Sequence, residues 1–199
     1  MLRIFVVLPL LALLAASCGT GGDGYVASPR RYAYPRPALP DTIMTSRGDS
    51  LPMSMQTNAA ADVEVQSPSP GSTWVNVVYP GIDASVHYTF SEVDSPEQAD
   101  RIIDNRIERM ELNFGGEEIE ETAFLSPAGL ETHIYTARRG TTPVQFLATD
   151  SRSVVVSGVA WLRAADAATA QAADSLAPVI RFLADDIRRT LQSAGAPHD

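Results

Sequence analysis

From Asp83 to Phe90 the chain alternates strictly. Ala84, Val86, Tyr88 and Phe90 are apolar, and Asp83, Ser85, His87 and Thr89 are polar. A period of two puts one set on each face of a half-buried β-strand. The preceding run, Thr73-Trp74-Val75-Asn76-Val77-Val78-Tyr79, is apolar on both parities in places, which predicts a central strand. Pro80-Gly81 predicts the turn between them. Upstream, Val63-Glu64-Val65 alternates briefly before Ser67-Pro68-Ser69-Pro70-Gly71 breaks the pattern.

The period then changes to that of a helix. Ser95 can cap, Pro96 suits the first helical position, and Gln98 completes a capping box. Ala99, Ile102, Ile103, Ile107 and Met110 form one stripe, with Arg101, Asp104, Glu108 and Glu111 off it. Asn113-Phe114-Gly115-Gly116 ends the helix. Four strand-like runs follow, Glu117–Leu125, Leu130–Ala137, Val144–Thr149 and Ser153–Leu162. Val154-Val155-Val156 in the last predicts burial on both faces. The Ala-rich stretch Arg163–Ala173 reads as a loop or a frayed helical turn. A final helix is expected from Asp174-Ser175, with Pro178 in its first turn. Its stripe is Leu176, Val179, Ile180, Leu183, Ile187 and Leu191. Arg188 and Arg189 near its end complement the helix dipole, and Gly195 and Pro197 stop it.

The order is strand, strand, helix, four strands, helix. Short turns between the late strands favour antiparallel pairing. The expected class is α+β, one antiparallel sheet sandwiched between two amphipathic helices.

The first seventeen residues stand apart. Arg3 precedes the apolar run Ile4–Leu14, and the small residues Ala15-Ala16-Ser17 lead to Cys18. That is the layout of a secretory signal peptide, too short for a transmembrane helix and interrupted by Pro9. Cys18, the sole cysteine, stands directly after the small residues, as in the lipobox of bacterial lipoproteins. It is the expected lipidation site, with the acyl chains supplying the membrane anchor. Gly19, a residue other than Asp, fits outer-membrane sorting and a domain facing the periplasm. Residues 18–62 read as a lipidated cysteine and a Pro/Gly-rich tether, poor in large aliphatics. Within it, Tyr34, Pro35, Pro37, Leu39 and Pro40 form an extended, polyproline-like segment that can dock on a surface as readily as it can space. Residues 63–199 are left as one α+β domain, near the common domain size.

Composition narrows the chemistry. The formal net charge is −9, and all fifteen cations are arginine. Without a basic run, nucleic acid is not an expected partner. One cysteine excludes a disulfide framework, a zinc ribbon or an iron–sulfur site within the chain. There is no Gly-x-Ser-x-Gly elbow, P-loop, GxGxxG or His-Glu-x-x-His. No catalytic residues, cofactor or metal are therefore expected. His87 and His133 lie mid-strand and His198 on the tail; half-exposed strand histidines account for the first two better than a metal site does. Glu117, Glu118, Glu120 and Glu121 lack the glycine and alternating ligands of a calcium loop and read as a solvated strand edge. Trp74 and Trp161 are expected in the core.

The element order, with the run from Gly129-Leu130 to Tyr135, resembles the PsbP-type sandwich, a fold-level likeness that carries no activity. Several segments in order resemble the gliding-motility lipoprotein family GldD. They are the lipobox, Tyr34–Pro40, Trp74–Pro80, Pro143–Phe146 with Thr149-Asp150-Ser151, and Asp174–Ile180 running to Asp185-Asp186-Ile187. The resemblance implies association with the gliding and type IX secretion machinery, and no catalytic activity. It points to a non-enzymatic, lipid-anchored assembly or accessory factor. The expected contacts are Tyr34–Pro40 and the face of Gln145, Phe146, Asp150 and Ser151. The second reading is a periplasmic module binding a small ligand or cell-wall component. A pocket lined by Trp, Tyr and a convergent Arg would favour it, whereas a filled core with an exposed apolar patch favours a protein partner.

Overall fold

The computed structural model describes residues 38–47, 51–163 and 170–195. The signal peptide, Cys18, the first part of the tether with Tyr34, Pro35 and Pro37, and His198 lie outside them.

The structure is mixed α+β. Seven strands form one antiparallel sheet: β3 (Asp62–Ser69), β4 (Ser72–Tyr79), β5 (Ala84–Glu92), β6 (Ile119–Leu125), β7 (Glu131–Ala137), β8 (Val144–Thr149) and β9 (Val154–Leu162). Their spatial order is β3-β4-β5-β9-β8-β7-β6. β3 to β5 and β6 to β9 are thus two meanders, joined where β5 pairs with β9. β1 (Met44–Ser46) and β2 (Gln56–Asn58) make a separate two-stranded hairpin. The helices are α1 (Pro96–Phe114) and α2 (Ala170–Gln192).

α1 begins as its capping residues dictate. Ser95 Oγ accepts from the Gln98 backbone N–H at 3.2 Å, and Gln98 Oε1 accepts from Asp94 N–H at 2.9 Å. Gly115, at φ 59°, closes it with an N–H bond to the Glu111 carbonyl. α2 starts earlier than the sequence implied. Pro178 therefore falls inside the helix rather than in its first turn, and its missing N–H leaves one intrahelical bond unmade. Of the Ala-rich stretch before it, residues 164–169 lie outside the described residues.

Two hydrophobic clusters use opposite parities of the same strands. Tyr88, Phe90, Phe146, Ala148, Val156 and Ala160 pack with Val179, Leu183, Ile187 and Leu191 of α2. Leu147, Val155 and Ala137 pack with Ala99, Met110 and Phe114 of α1. Ile107, expected on the buried stripe of α1, is instead exposed at the flank of the inward face.

One cross-strand row runs Val75, Tyr88, Gly158, Phe146, Ile134. Tyr88 and Phe146 are two strands apart, yet their ring centroids approach to 4.9 Å. They meet over Gly158, where a Cβ would lie 2.4 Å from Phe146 Cζ. Glycine is thus required by the rings that cover it.

The packed region begins before Val63. Leu51, Met55 and Ala61 belong to the larger core, and Met55 is 1% exposed. The arm that carries them is bonded to α2 and its end. Gln56 N–H donates to Ser193 Oγ at 2.8 Å, and Gly195 N–H to the Ser54 carbonyl at 2.8 Å. Arg47 braces the arm internally, donating to Thr57 Oγ1 and to the Ala61 carbonyl, each at 2.9 Å. The tether expected up to Asp62 is therefore folded structure over its last part. Its apolar residues lack periodicity because their partners come from the far end of the chain.

Candidate functional site

The residues predicted for contact are divided by the fold. Leu39 is exposed and Pro40 half-buried, ahead of β1. Gln145 and Phe146 are 1% and 0% exposed, so neither side chain can meet a partner. Phe146 lies in the core with Tyr88, and Gln145 accepts from Asn113 Nδ2 of α1 at 3.2 Å. Asp150 and Ser151 form the β8–β9 turn. Ser151 is at φ 57°, and Asp150 Oδ1 accepts from the backbone N–H groups of Arg152, Ser153 and Val154 at 2.8–3.0 Å. Burial alone would raise the Asp150 pKa. These bonds, with that from Ser153 Oγ, outweigh it and hold the carboxyl well below the ordinary range. The Asp150 geometry builds the turn.

A different set of residues comes together on β3, β4, β5 and β9. The register aligns Glu64, Asn76, His87 and Val159 in one row, and Val78, Ser85 and Trp161 in the next. Strand alternation places this patch on the same side as Val155 and Leu147 of the α1 cluster. α1 does not reach it, so the sheet is open there. Trp161, expected in the core, is 36% exposed, and Trp74 is exposed nearby in the strand sequence of β4. The both-face burial expected of Val154-Val155-Val156 holds at Val155 and Val156, with Val154 half-buried, whereas Trp161, expected in the core, lies beyond the cover of α1.

The patch forms a hollow of about 500 Å³, with Trp161, Tyr79 and Arg163 among its lining residues. Arg163 lies over the Trp161 ring, 5.8 Å from its centroid, and its Nε is 3.5 Å from Asp83 Oδ1. Asp83 is set at this corner by a left-handed backbone, φ 49°, after a short 3-10 turn. On the floor, His87 Nδ1 is 2.8 Å from Asn76 Oδ1, and Nε2 is 2.7 Å from Ser85 Oγ. The Asn76 oxygen only accepts, so Nδ1 carries the proton. Burial lowers the His87 pKa and keeps the ring neutral, so Nε2 accepts from the Ser85 hydroxyl. The spacing of Ser85 and His87, two apart in an alternating strand, was visible in the sequence; the contribution of Asn76 depends on the β4–β5 register.

Hydroxyl, imidazole and amide thus follow one another in the order nucleophile, base, orienting group. Acyl transfer also needs donors for an oxyanion. β5 is paired on both sides, so the N–H groups of Ser85 and its neighbours are used in the ladders. The arrangement fixes the orientation and tautomer of His87 and leaves a polar floor beside an exposed indole.

The other strand histidine, His133, bonds Glu121 at 2.7 Å and lies 3.5 Å from Glu131. Glu117 pairs with Arg139 at 2.8 Å. Among the described residues no group of three His, Cys, Asp or Glu is placed to hold a metal ion. Among them, too, no helix is long and apolar enough to cross a membrane.

A family model described as gliding motility lipoprotein GldD matches residues 25–195. No curated protein matches the chain.

Proposed function

The chain belongs to the GldD family of gliding motility lipoproteins, and from that membership we propose a non-enzymatic, lipid-anchored accessory or assembly factor of the gliding and type IX secretion machinery. The observation that carries this reading is the extent of the match, which takes in the arm, the sheet and both helices. Family membership supports association with the envelope and with motility. The finer reading adds the anchor and its place. Cys18 is diacylated on sulfur and becomes the first residue once residues 1–17 are cleaved, and the domain faces the periplasm from the outer membrane. The two clusters of opposite parity support a sheet sandwiched between α1 and α2, in the manner of PsbP-like domains.

In this reading the chain carries out no reaction, and the ladder-paired N–H groups around Ser85 offer no backbone oxyanion hole. Contact with the machinery is assigned to Tyr34–Pro40 and to the part of the 145–151 face that reaches the surface, Asp150 and Ser151.

The test is a strain in which residues 38–199 are deleted and residues 1–37, with the signal peptide and Cys18, are kept. Loss of gliding or of type IX secretion is expected. Normal gliding and secretion in that strain would sink the proposal. Cys18→Ala should abolish incorporation of labelled palmitate and remove the protein from the outer-membrane fraction.

A further inference from the structure

We propose that the hollow beside Trp161 binds a neutral saccharide. This stands apart from the motility assignment and rests on the chemistry of the hollow alone. Its volume, about 500 Å³, falls within the roughly 300–1,000 Å³ usual for small-molecule sites. It opens across strands β3, β4, β5 and β9, so a chain of linked rings can run out of it.

The lining selects by charge. Glu64 and Asp83 face one guanidinium, Arg163, and His87 is neutral. The sum is one negative charge, which disfavours phosphates and carboxylates. A cationic ligand is disfavoured for another reason: the guanidinium of Arg163, 5.8 Å from the indole centroid, would repel it there.

What remains is an uncharged ligand with hydrogen-bonding groups around an apolar face. Trp161 supplies a flat apolar surface at a place where burying it would have been the usual outcome. The polar groups include both kinds. Asn76 Oδ1 is engaged by His87, so the Asn76 amide nitrogen, with no protein partner among the described residues, is the free donor. Glu64 brings an acceptor with no ion pair among the described residues, and Asp83 and Arg163 bring one of each at the rim. Ring hydroxyls both donate and accept, and their pyranose face stacks on an indole. Free peptide segments lack that combination on one rigid ring.

The experiment uses the full chain carrying Trp74→Phe, in a non-glycosidic detergent. The sequence has two tryptophans, so Trp161 becomes the sole one. Trp74 is not among the lining residues. Cellohexaose and N-acetylated chitohexaose are titrated to ~10 mM, because an open site holds its ligand at roughly millimolar strength. A saturable change in Trp161 emission is expected with at least one of them. Asn76→Ala and Glu64→Gln should each weaken it by about tenfold, the loss of one good hydrogen bond. Trp161→Ala, read by ligand-observed NMR, should abolish binding. All three positions lie on an open sheet face, and thermal melts will show that the variants fold. No saturable change with either neutral probe overturns the proposal. So does unaltered binding in the folded Asn76→Ala and Glu64→Gln variants, or tighter binding of hexagalacturonate, an anionic oligosaccharide.

Discussion

Asn58 donates from Nδ2 to Asp186 Oδ1 at 3.0 Å, across 128 positions of sequence. The same carboxylate accepts from the Tyr79 hydroxyl through Oδ2. Asp186 is 1% exposed, and so is Tyr79. Burial raises the pKa of both, while the bonds from Tyr79 and Asn58 and the charge of Arg189 partly restrain that of Asp186. Asp186→Ala would leave the Tyr79 hydroxyl and one N–H of the Asn58 amide, whose nitrogen also donates to the Asp41 carbonyl, without an acceptor, at a cost of about 3 kcal/mol. Asp186→Asn keeps an acceptor for Asn58 and can donate to the Tyr79 oxygen, so its cost should stay within about 1 kcal/mol.

The pH dependence has a definite sign. A carboxyl whose folded pKa is raised takes up a proton on the folded side first as pH falls. The native chain should therefore gain stability relative to Asp186→Asn as pH drops through the folded pKa toward 3.8. Urea melts of both proteins from pH 8 to pH 4 read this directly. A gap that widens in the other direction would refute the buried ionised carboxylate.

Gly158→Ala should be among the most damaging single substitutions. The added Cβ would lie 2.1 Å from the His87 carbonyl and 2.4 Å from the Phe146 ring. Backbone and a packed aromatic cannot both yield, so a loss of about 3 kcal/mol or more is expected. The Tyr88–Phe146 contact should be disturbed with it, visible as a changed near-ultraviolet circular dichroism signal.

Shortening the chain tests where the fold begins. A version starting at residue 38 should melt cooperatively. One starting at Val63 lacks Leu51, Met55 and Ala61 from the core and the arm's bonds to α2. It should bind a hydrophobic dye and lose its cooperative transition. Met55→Ala in the longer version should cost about 2–4 kcal/mol.

Asp150→Ala removes the acceptor that gathers three backbone N–H groups in the β8–β9 turn. A cost of about 1 kcal/mol is expected, kept small by solvent screening at this exposed turn. Here the folded pKa is depressed, so the contribution is fully present above the ordinary 3.8 and is lost as pH falls through the folded value. The difference in melting temperature between the two proteins should be constant from pH 8 to pH 5 and shrink in stronger acid.

Local signals carried much of this structure. β5 was legible because alternation is a property of the eight consecutive residues Asp83–Phe90, and α1 because Ser95, Pro96 and Gln98 mark its start within four. The arm was not legible. Leu51 and Met55 are isolated apolar residues whose neighbours are polar, and what buries them is the larger core and the end of α2. Gln145 shows the same limit in another way. Between Val144 and Phe146 it has the parity of an outward residue, and only the placement of α1 over β8 makes it a buried one. Trp161 is the reverse, an apolar residue on the uncovered end of that same face. The hollow was invisible for that reason: Asn76 meets His87 through register, and Arg163 meets Trp161 and Asp83 through the corner after β4.

The fastening of the arm also decides how the domain bears a mechanical load. Tension along the N-terminal segment arrives first at Asp41 and Met44. The Asp41 carbonyl accepts from Asn58 Nδ2 at 3.0 Å, and Met44 is the register partner of Asn58. From Asn58 the force passes through Asp186 into α2, with Ser193 and Gly195 sharing it at the helix end. A pull on the N-terminal segment is therefore shared between the long helix and, through the Tyr79 hydroxyl on Asp186, strand β4 of the sheet.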